Sequence, residues 1–132
     1  MTAIASVPPI GWPLLPRPDA HGRLAWPDLA TSVRERIRLV LLVRPGELLG
    51  ARTLGVGLGD FLGRPASLDT RREIRDRVTE QIARWEPRIG LERVEVYAGG
   101  DDAPGRLRLE IHYRLRRTGE PGVVALTMDL GA

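Results

Sequence analysis

The apolar positions between residues 28 and 42 recur every three or four residues, which is the spacing of one face of an α-helix. They are Val33, Ile37, Val40 and Leu41. The pattern predicts a first helix over residues 28–42. Its start can be capped by Asp28 or Thr31, or Ser32 can form a capping box with the glutamate three residues later, Glu35.

The next segment, residues 47–65, is punctuated by five glycines. The Gly55–Gly59 stretch fails the spacing of a dinucleotide-binding loop, and no suitable strand precedes it. We therefore predict no nucleotide site here. We expect a turn leading into a short helix, with Leu58, Phe61 and Leu62 pointing inward.

A second helix is indicated by a longer amphipathic pattern that ends before Pro87. Thr70 and Glu73 have the spacing of a capping box at its start, and Glu73 can pair with Arg77 one turn later. The apolar face holds Ile74, Val78, Ile82 and Trp85. The opposite face is interpreted as solvated, and it holds Arg71, Arg72, Arg75, Asp76, Arg77 and Glu80.

From Val94 onwards, apolar and polar residues alternate, which is typical of half-buried strands. Val94 and Val96 mark a first strand, the alternation over 107–115 marks a long second one, and 124–130 marks the last. The connecting loops are short, so we predict an antiparallel meander with one face on the helices. The fold class is therefore α+β: two main helices packed on a C-terminal three-stranded antiparallel sheet.

The start of the chain is rich in turn signals. Trp12 and Trp26, each followed by proline, flank an Asp19–Gly22 turn. We interpret residues 1–27 as an extended N-terminal arm with a short hairpin, and residues 28–132 as a single domain. The two tryptophans can anchor the arm on the core or contact a partner.

Composition removes several chemistries from consideration. The 132 residues include no cysteine, and all 20 basic side chains are arginine, so thiolate, disulfide, Schiff-base and Walker-lysine chemistry are excluded. The net charge is only +3 and no basic tail stands out, so nucleic acid is not expected as a partner. No apolar run is long enough for a membrane span and no secretory signal is evident, so we expect a protein of the cytosol.

No residue constellation in the sequence indicates catalysis. Glu86 stands beside tryptophan and near Arg88, so we expect a fixed ion pair or an interface contact there. His21 and His112 are too few for a histidine metal centre, and we expect His112 on the polar face of its strand. We predict a non-enzyme without cofactor or metal.

The order of these features resembles the small baseplate-wedge proteins of contractile-tailed phages, type VI secretion systems and extracellular contractile injection particles. The resemblance covers residues 11–130. Its strongest marks are Arg44-Pro45-Gly46-Glu47 and the triplet Glu86-Pro87-Arg88. The chain departs from the family in the Leu48–Gly55 loop, where an arginine and a Pro-x-aromatic-Gly motif often stand.

The resemblance implies that the protein has a structural role and that a baseplate contains several copies of it. We expect six. The triplet Glu86, Pro87 and Arg88 would contact larger baseplate-wedge proteins, and the C-terminal sheet would offer sheath subunits an edge for strand pairing. Arginines near the end of the long strand could steer an acidic partner segment, or they could simply be solvated: Arg114, Arg116 and Arg117.

Two alternatives stay open at this point. Members of this family have carried a lysozyme-like label, which would make the protein a muralytic enzyme. A generic adaptor domain with the same α+β layout is the other.

Overall fold

A computed structural model describes residues 18–24 and 26–131. The elements follow the order α1 (Leu29–Leu42), a one-turn 3-10 helix (Leu58–Phe61), α2 (Leu68–Trp85), β1 (Ile89–Ala98), β2 (Arg106–Leu115) and β3 (Pro121–Asp129). The expected α+β class is confirmed: two helices accompany a three-stranded antiparallel sheet of order β1-β2-β3. Residues 1–17 of the expected arm, including Trp12, lie outside the described residues.

Helix α1 begins at the residue after Asp28, whose carboxylate accepts a hydrogen bond from the Thr31 N–H at 2.8 Å. Of the alternatives for this start, Asp28 is therefore the cap. The capping box of Ser32 and Glu35 is wrong, because Ser32 lies within the helix and is buried. Its hydroxyl instead accepts a hydrogen bond from Arg88.

Helix α2 is capped one turn earlier than the sequence indicated. Ser67 is the N-cap and accepts a hydrogen bond from the Thr70 N–H at 3.3 Å. The capping box of Thr70 with Glu73 is wrong, because Glu73 instead binds Arg64 at 2.7 Å and Arg77 at 2.9 Å. The expected pair of Glu73 with Arg77 is thus present.

The core lies between the helices and the inner face of the sheet. Apolar side chains from α1, α2 and all three strands are buried in one cluster together with Leu58 and Phe61. Leu62 is the exception to the expectation, since its side chain is 59% exposed. The 3-10 helix ends at Phe61, and the extended backbone of Leu62 turns its side chain to solvent.

The segment after α1 returns against the end of that helix. The N–H of Val56 donates to the Val40 carbonyl and the N–H of Gly57 donates to the Val43 carbonyl, both at 2.9 Å. At Gly55, φ is 129° and any Cβ would collide with the Val43 carbonyl oxygen, so the close approach requires glycine.

Strand β1 is longer than the alternation indicated, and it starts at Ile89 instead of Val94. Its register with β2 shifts between Leu91 and Arg93, so one extra residue is accommodated as a bulge. The bulge breaks the period of two, which explains why the sequence pattern missed the first half. None of the described helices has the length and apolar character needed to cross a membrane.

Candidate interaction surfaces

The corner between α2 and β1 contains an ion pair whose acidic member is buried. Glu86 is 1% exposed, and its two carboxylate oxygens accept hydrogen bonds from Nε and Nη2 of Arg88, each at 2.8 Å. The backbone N–H of Arg88 adds a third bond at 3.2 Å. The hydrogen bond to Glu86 raises the pKa of Arg88 above its ordinary value, so the guanidinium is charged.

The same arginine connects three elements of the fold. Arg88 Nη1 donates to the Ser32 hydroxyl of α1 at 2.9 Å. Beyond the end of β2, Arg116 donates its backbone N–H to the Arg88 carbonyl at 2.9 Å and its Nε to the Ile89 carbonyl at 2.8 Å. The triplet is therefore held rigidly, and Pro87, which is exposed, is the member that faces outward most fully.

Strand β3 forms one edge of the sheet. The pairs Leu115–Glu120 and Leu130–Gly105 are joined by backbone hydrogen bonds of 2.9 and 2.8 Å. With this antiparallel register, every second residue of β3 bonds to β2 and the residues between direct their N–H and C=O groups away from it. The outward residues are Pro121, Val123, Ala125, Thr127 and Asp129. Among the described residues, no further strand joins this side of β3.

The two edges of the sheet differ in regularity. β3 pairs with β2 over nine residues without a register shift, whereas β1 is interrupted by the bulge near Glu92. Bulges protect an edge against further pairing because they twist it and break its ladder. Val123, at 47% exposure, also leaves an apolar side chain on the β3 edge. The regular edge is therefore the one best suited to accept a long strand.

The three arginines expected to steer a partner have different surroundings. Arg114 binds Glu92 at 2.6 Å and the Gly119 carbonyl at 3.1 Å. The Arg116 side chain donates to the Ile89 carbonyl at the corner between α2 and β1. Arg117 is exposed, and no ion pair involves it within the described residues. Of the three side chains, that of Arg117 is the one left available to an acidic partner.

The outer face of the sheet carries a network of charged side chains. Glu110 accepts a hydrogen bond from Arg108 Nε at 2.8 Å and lies 3.1 Å from His112 Nε2. The Arg108 hydrogen bond, with a smaller contribution from His112, lowers the pKa of Glu110. Glu95, Glu110 and His112 hold ligand-type atoms within 4.8 Å of one another. Arginines already supply the counter-charge, so we interpret the cluster as a cross-strand ion network.

Sequence reasoning missed two participants. By residue type, Ser32 suggests a helix cap. It stands three residues after Leu29, which is buried, so it lies on the apolar face of α1. This spacing is the signal that could have indicated its buried position. Arg71 reads as solvated, yet its Nε is buried without a hydrogen-bond partner. Trp26 is described and 43% exposed, whereas Trp12 lies outside the described residues.

Comparison with known proteins relates this chain to one protein family. The family model described as baseplate wedge protein gp25 matches residues 27–120. Among curated protein sequences, none matches the chain.

The solved structures that share the fold include the following three. A protein of Geobacter sulfurreducens that carries the name tail lysozyme is 27% identical, with a TM-score of 0.71, over 83% of this chain and 98% of that one. A chain of the anti-feeding prophage baseplate is 26% identical, with a TM-score of 0.70, over 80% and 83%. A chain of a type VI secretion system baseplate is 16% identical, with a TM-score of 0.54, over 76% and 93%, and this likeness concerns the fold alone.

Proposed function

Because the chain belongs to the baseplate wedge protein gp25 family, we propose that it joins the wedge core of a contractile injection particle and seeds the assembly of its sheath. The observation that carries the proposal is the regular open edge of β3. The protein assembles in the cytosol with larger wedge proteins, in six copies per baseplate. Residues 1–27 act as an arm on the single domain formed by 28–132.

Seeding works by strand addition at β3. The outward N–H and C=O groups of Val123, Ala125 and Thr127 offer a sheath strand a ladder of backbone hydrogen bonds. Pro121 lacks an N–H and limits the ladder at one end. Arg117, just beyond β2, attracts acidic residues of the incoming strand. A sheath ring then starts at the baseplate, where such an edge is available.

Attachment to the wedge core uses the corner at residues 86–88. Glu86 is too deeply buried to contact a partner, so its role is to hold Arg88 in position. The partner then contacts Pro87 and the exposed part of the Arg88 side chain. Because the corner is already rigid, it loses little conformational entropy when it binds a partner, and this favours a specific contact. Trp12 and Trp26 extend the same attachment through the arm.

The strand-addition proposal is tested with Ala125→Pro. This substitution removes one outward N–H while leaving the bonds to β2 intact, so the fold should survive. Deletion of the whole strand would be less informative, because Val124 and Leu130 belong to the core. The control is Asp101→Pro, because Asp101 is exposed in the β1–β2 loop, outside both sheet edges, and is the second residue of a Gly100–Ala103 turn, where proline fits.

Particles are assembled in cells that carry each variant and are then imaged by electron microscopy. We expect baseplates without extended sheath for Ala125→Pro and normal particles for Asp101→Pro. A folded Ala125→Pro protein that still yields full-length sheath would contradict seeding at this edge.

The attachment proposal is tested at Pro87, because Arg88 variants also disturb the internal ion pair. Pro87→Asp adds a charge to the outward surface, and Pro104→Asp is the control, since Pro104 is also exposed but lies in the β1–β2 loop. We expect Pro87→Asp to reduce recovery of the protein in purified baseplates at least tenfold, and Pro104→Asp to have no effect. Equal recovery of the two variants would remove the corner from the interface.

We also propose that the protein is not muralytic. The most suggestive carboxylate, Glu86, is bound on both oxygens by Arg88, whereas a general acid needs a proton and access to substrate. Cell-wall hydrolysis is measured with the wild type and with Glu86→Gln. Activity of the wild type would overturn this statement, and its loss in the variant would assign the activity to Glu86.

A further inference from the structure

A groove runs between the start of α2 and the second half of β1. It encloses about 340 Å³ and is lined by Leu68 and three arginines of the helix, Arg71, Arg72 and Arg75, and by the consecutive strand residues 94–97. Consecutive strand residues point to opposite faces of a sheet. All four can line one groove only because the groove follows the free edge of β1.

The backbone of β1 offers unpaired groups on this side. The N–H of Gly99 donates to the Arg106 carbonyl, and the register with β2 then places the outward N–H and C=O groups at Val94, Val96 and Ala98. Among the described residues, no strand pairs with them. The bulge near Glu92 limits the regular edge to this short stretch of five or six residues.

The charge of the helical wall is largely uncompensated. Arg71 Nε is buried and finds no acceptor. Arg75 approaches only Asp76, at 3.5 Å and with both side chains more than half exposed, which is a weak contact. No ion pair involves Arg72 within the part of the chain that the structure describes. The strand wall adds one carboxylate, that of Glu95, which is engaged by Tyr97.

We propose that this groove binds an extended acidic segment of a partner protein, which adds as a short strand to β1 beneath the arginines. Peptide is favoured over nucleic acid because the free edge of β1 presents donors and acceptors that match a peptide backbone. Residues 1–17 of the chain itself contain no aspartate or glutamate, so they lack the matching charge. This surface is separate from the β3 edge and does not depend on the proposed function.

The spacing of the arginines sets the pattern that the partner must carry. Arg71 and Arg75 lie one helical turn apart, about 6 Å along the axis at 1.5 Å per residue. Alternate residues of an extended strand are about 6.6 Å apart. Acidic residues at every second position can therefore meet both guanidinium groups, whereas acidic residues that never stand two positions apart cannot.

The test measures binding of fluorescent decapeptides to the full chain by anisotropy at low salt. One peptide alternates threonine with glutamate. A second, the paired peptide, has the same composition with its glutamates arranged so that no two stand two positions apart, and a third carries lysine for glutamate. We expect only the alternating peptide to bind well. Strand addition needs the backbone N–H groups of the peptide that face β1. Methylating these nitrogens in the alternating peptide should therefore abolish binding.

Arg71→Gln and Arg75→Gln should each weaken binding of the alternating peptide about tenfold, the loss expected for a charge-assisted hydrogen bond. The control is Arg36→Gln on the exposed face of α1, which should change affinity less than twofold. Arg75 is exposed, so its variant also stays informative if Arg71→Gln fails to fold. Equal affinity for the paired peptide, or unchanged affinity in both groove variants, would overturn the proposal.

Two further outcomes identify a different occupant and would overturn it as well. One is an equally charged oligonucleotide binding as tightly as the alternating peptide. The other is peptide binding that appears only after removal of residues 1–17, which would assign the groove to the chain's own N-terminal segment.

Discussion

Replacing Arg88 with methionine should destabilise the protein strongly, although the site lies at its surface. Methionine keeps most of the aliphatic stem but removes the guanidinium that satisfies both oxygens of Glu86. Breaking a buried ion pair on one side costs about 3–5 kcal/mol, because the remaining charge stays buried without a partner. The side chain of Arg88 is itself 33% exposed, so water can replace part of the interaction. We therefore expect a loss of about 2–3 kcal/mol, slightly below that range.

The measurement is urea unfolding at pH 7, followed by circular dichroism. A double-mutant cycle combines Arg88→Met with Glu86→Gln, which removes the charge while preserving shape. The double variant should recover much of the stability that Arg88→Met loses, because no charge is left buried. Ser32→Ala serves as a third arm, and its loss of one hydrogen bond from Arg88 should cost about 1 kcal/mol.

Either of two results would contradict a stabilising role for the Glu86–Arg88 pair. One is an Arg88→Met protein within about 0.5 kcal/mol of the wild type, a change typical of an ordinary surface substitution. The other is simple additivity of the two substitutions, which would mean that Glu86 and Arg88 do not interact energetically.

Substitutions at three further positions, with a control at a fourth, test the remaining supports of the fold in the same unfolding assay. Gly55→Ala should cost about 2–3 kcal/mol, because the residue combines positive φ with contact to the Val43 carbonyl, and a smaller loss would contradict that packing. Phe61→Ala should cost about 3–5 kcal/mol, whereas its neighbour's variant Leu62→Ser should stay within about 0.5 kcal/mol. Asp28→Ala should cost about 1 kcal/mol at pH 7. The Thr31 N–H lowers the pKa of Asp28 in the folded state, so this capping contribution is complete above the unfolded value of about 3.9 and disappears as the pH falls through the folded one. A difference between the Asp28 variant and the wild type that persists unchanged in strong acid would exclude the cap as its source.

The local pattern predicted most elements because their faces repeat with one period. Val33, Ile37 and Val40 mark the buried side of α1, and the alternation of β2 matches its buried positions from Leu107 to Leu115. The start of β1 was missed because a bulge changes the period within the strand. The helix caps were displaced by one turn or less, since several neighbouring residues have side chains able to cap.

The candidate surfaces depended more on tertiary contacts than on pattern. The sequence indicated that Glu86 and Arg88 could pair, but the burial of Glu86 follows from the packing of α1, α2 and β2 around the corner. It also suggested that Arg114, Arg116 and Arg117 act together, whereas the structure gives the first two internal partners.

What the sequence determined by itself was the set of elements, the absence of cysteine and lysine chemistry, and the order of motifs that marks the family. These properties are local, because periodicity and residue type do not depend on where the chain returns. Only the tertiary structure decided which sheet edge is regular, which carboxylate is buried, and that Arg71 and Arg75 face the free edge of β1. Such features arise where distant segments meet, so their chemistry is fixed by packing and not by any single stretch of residues.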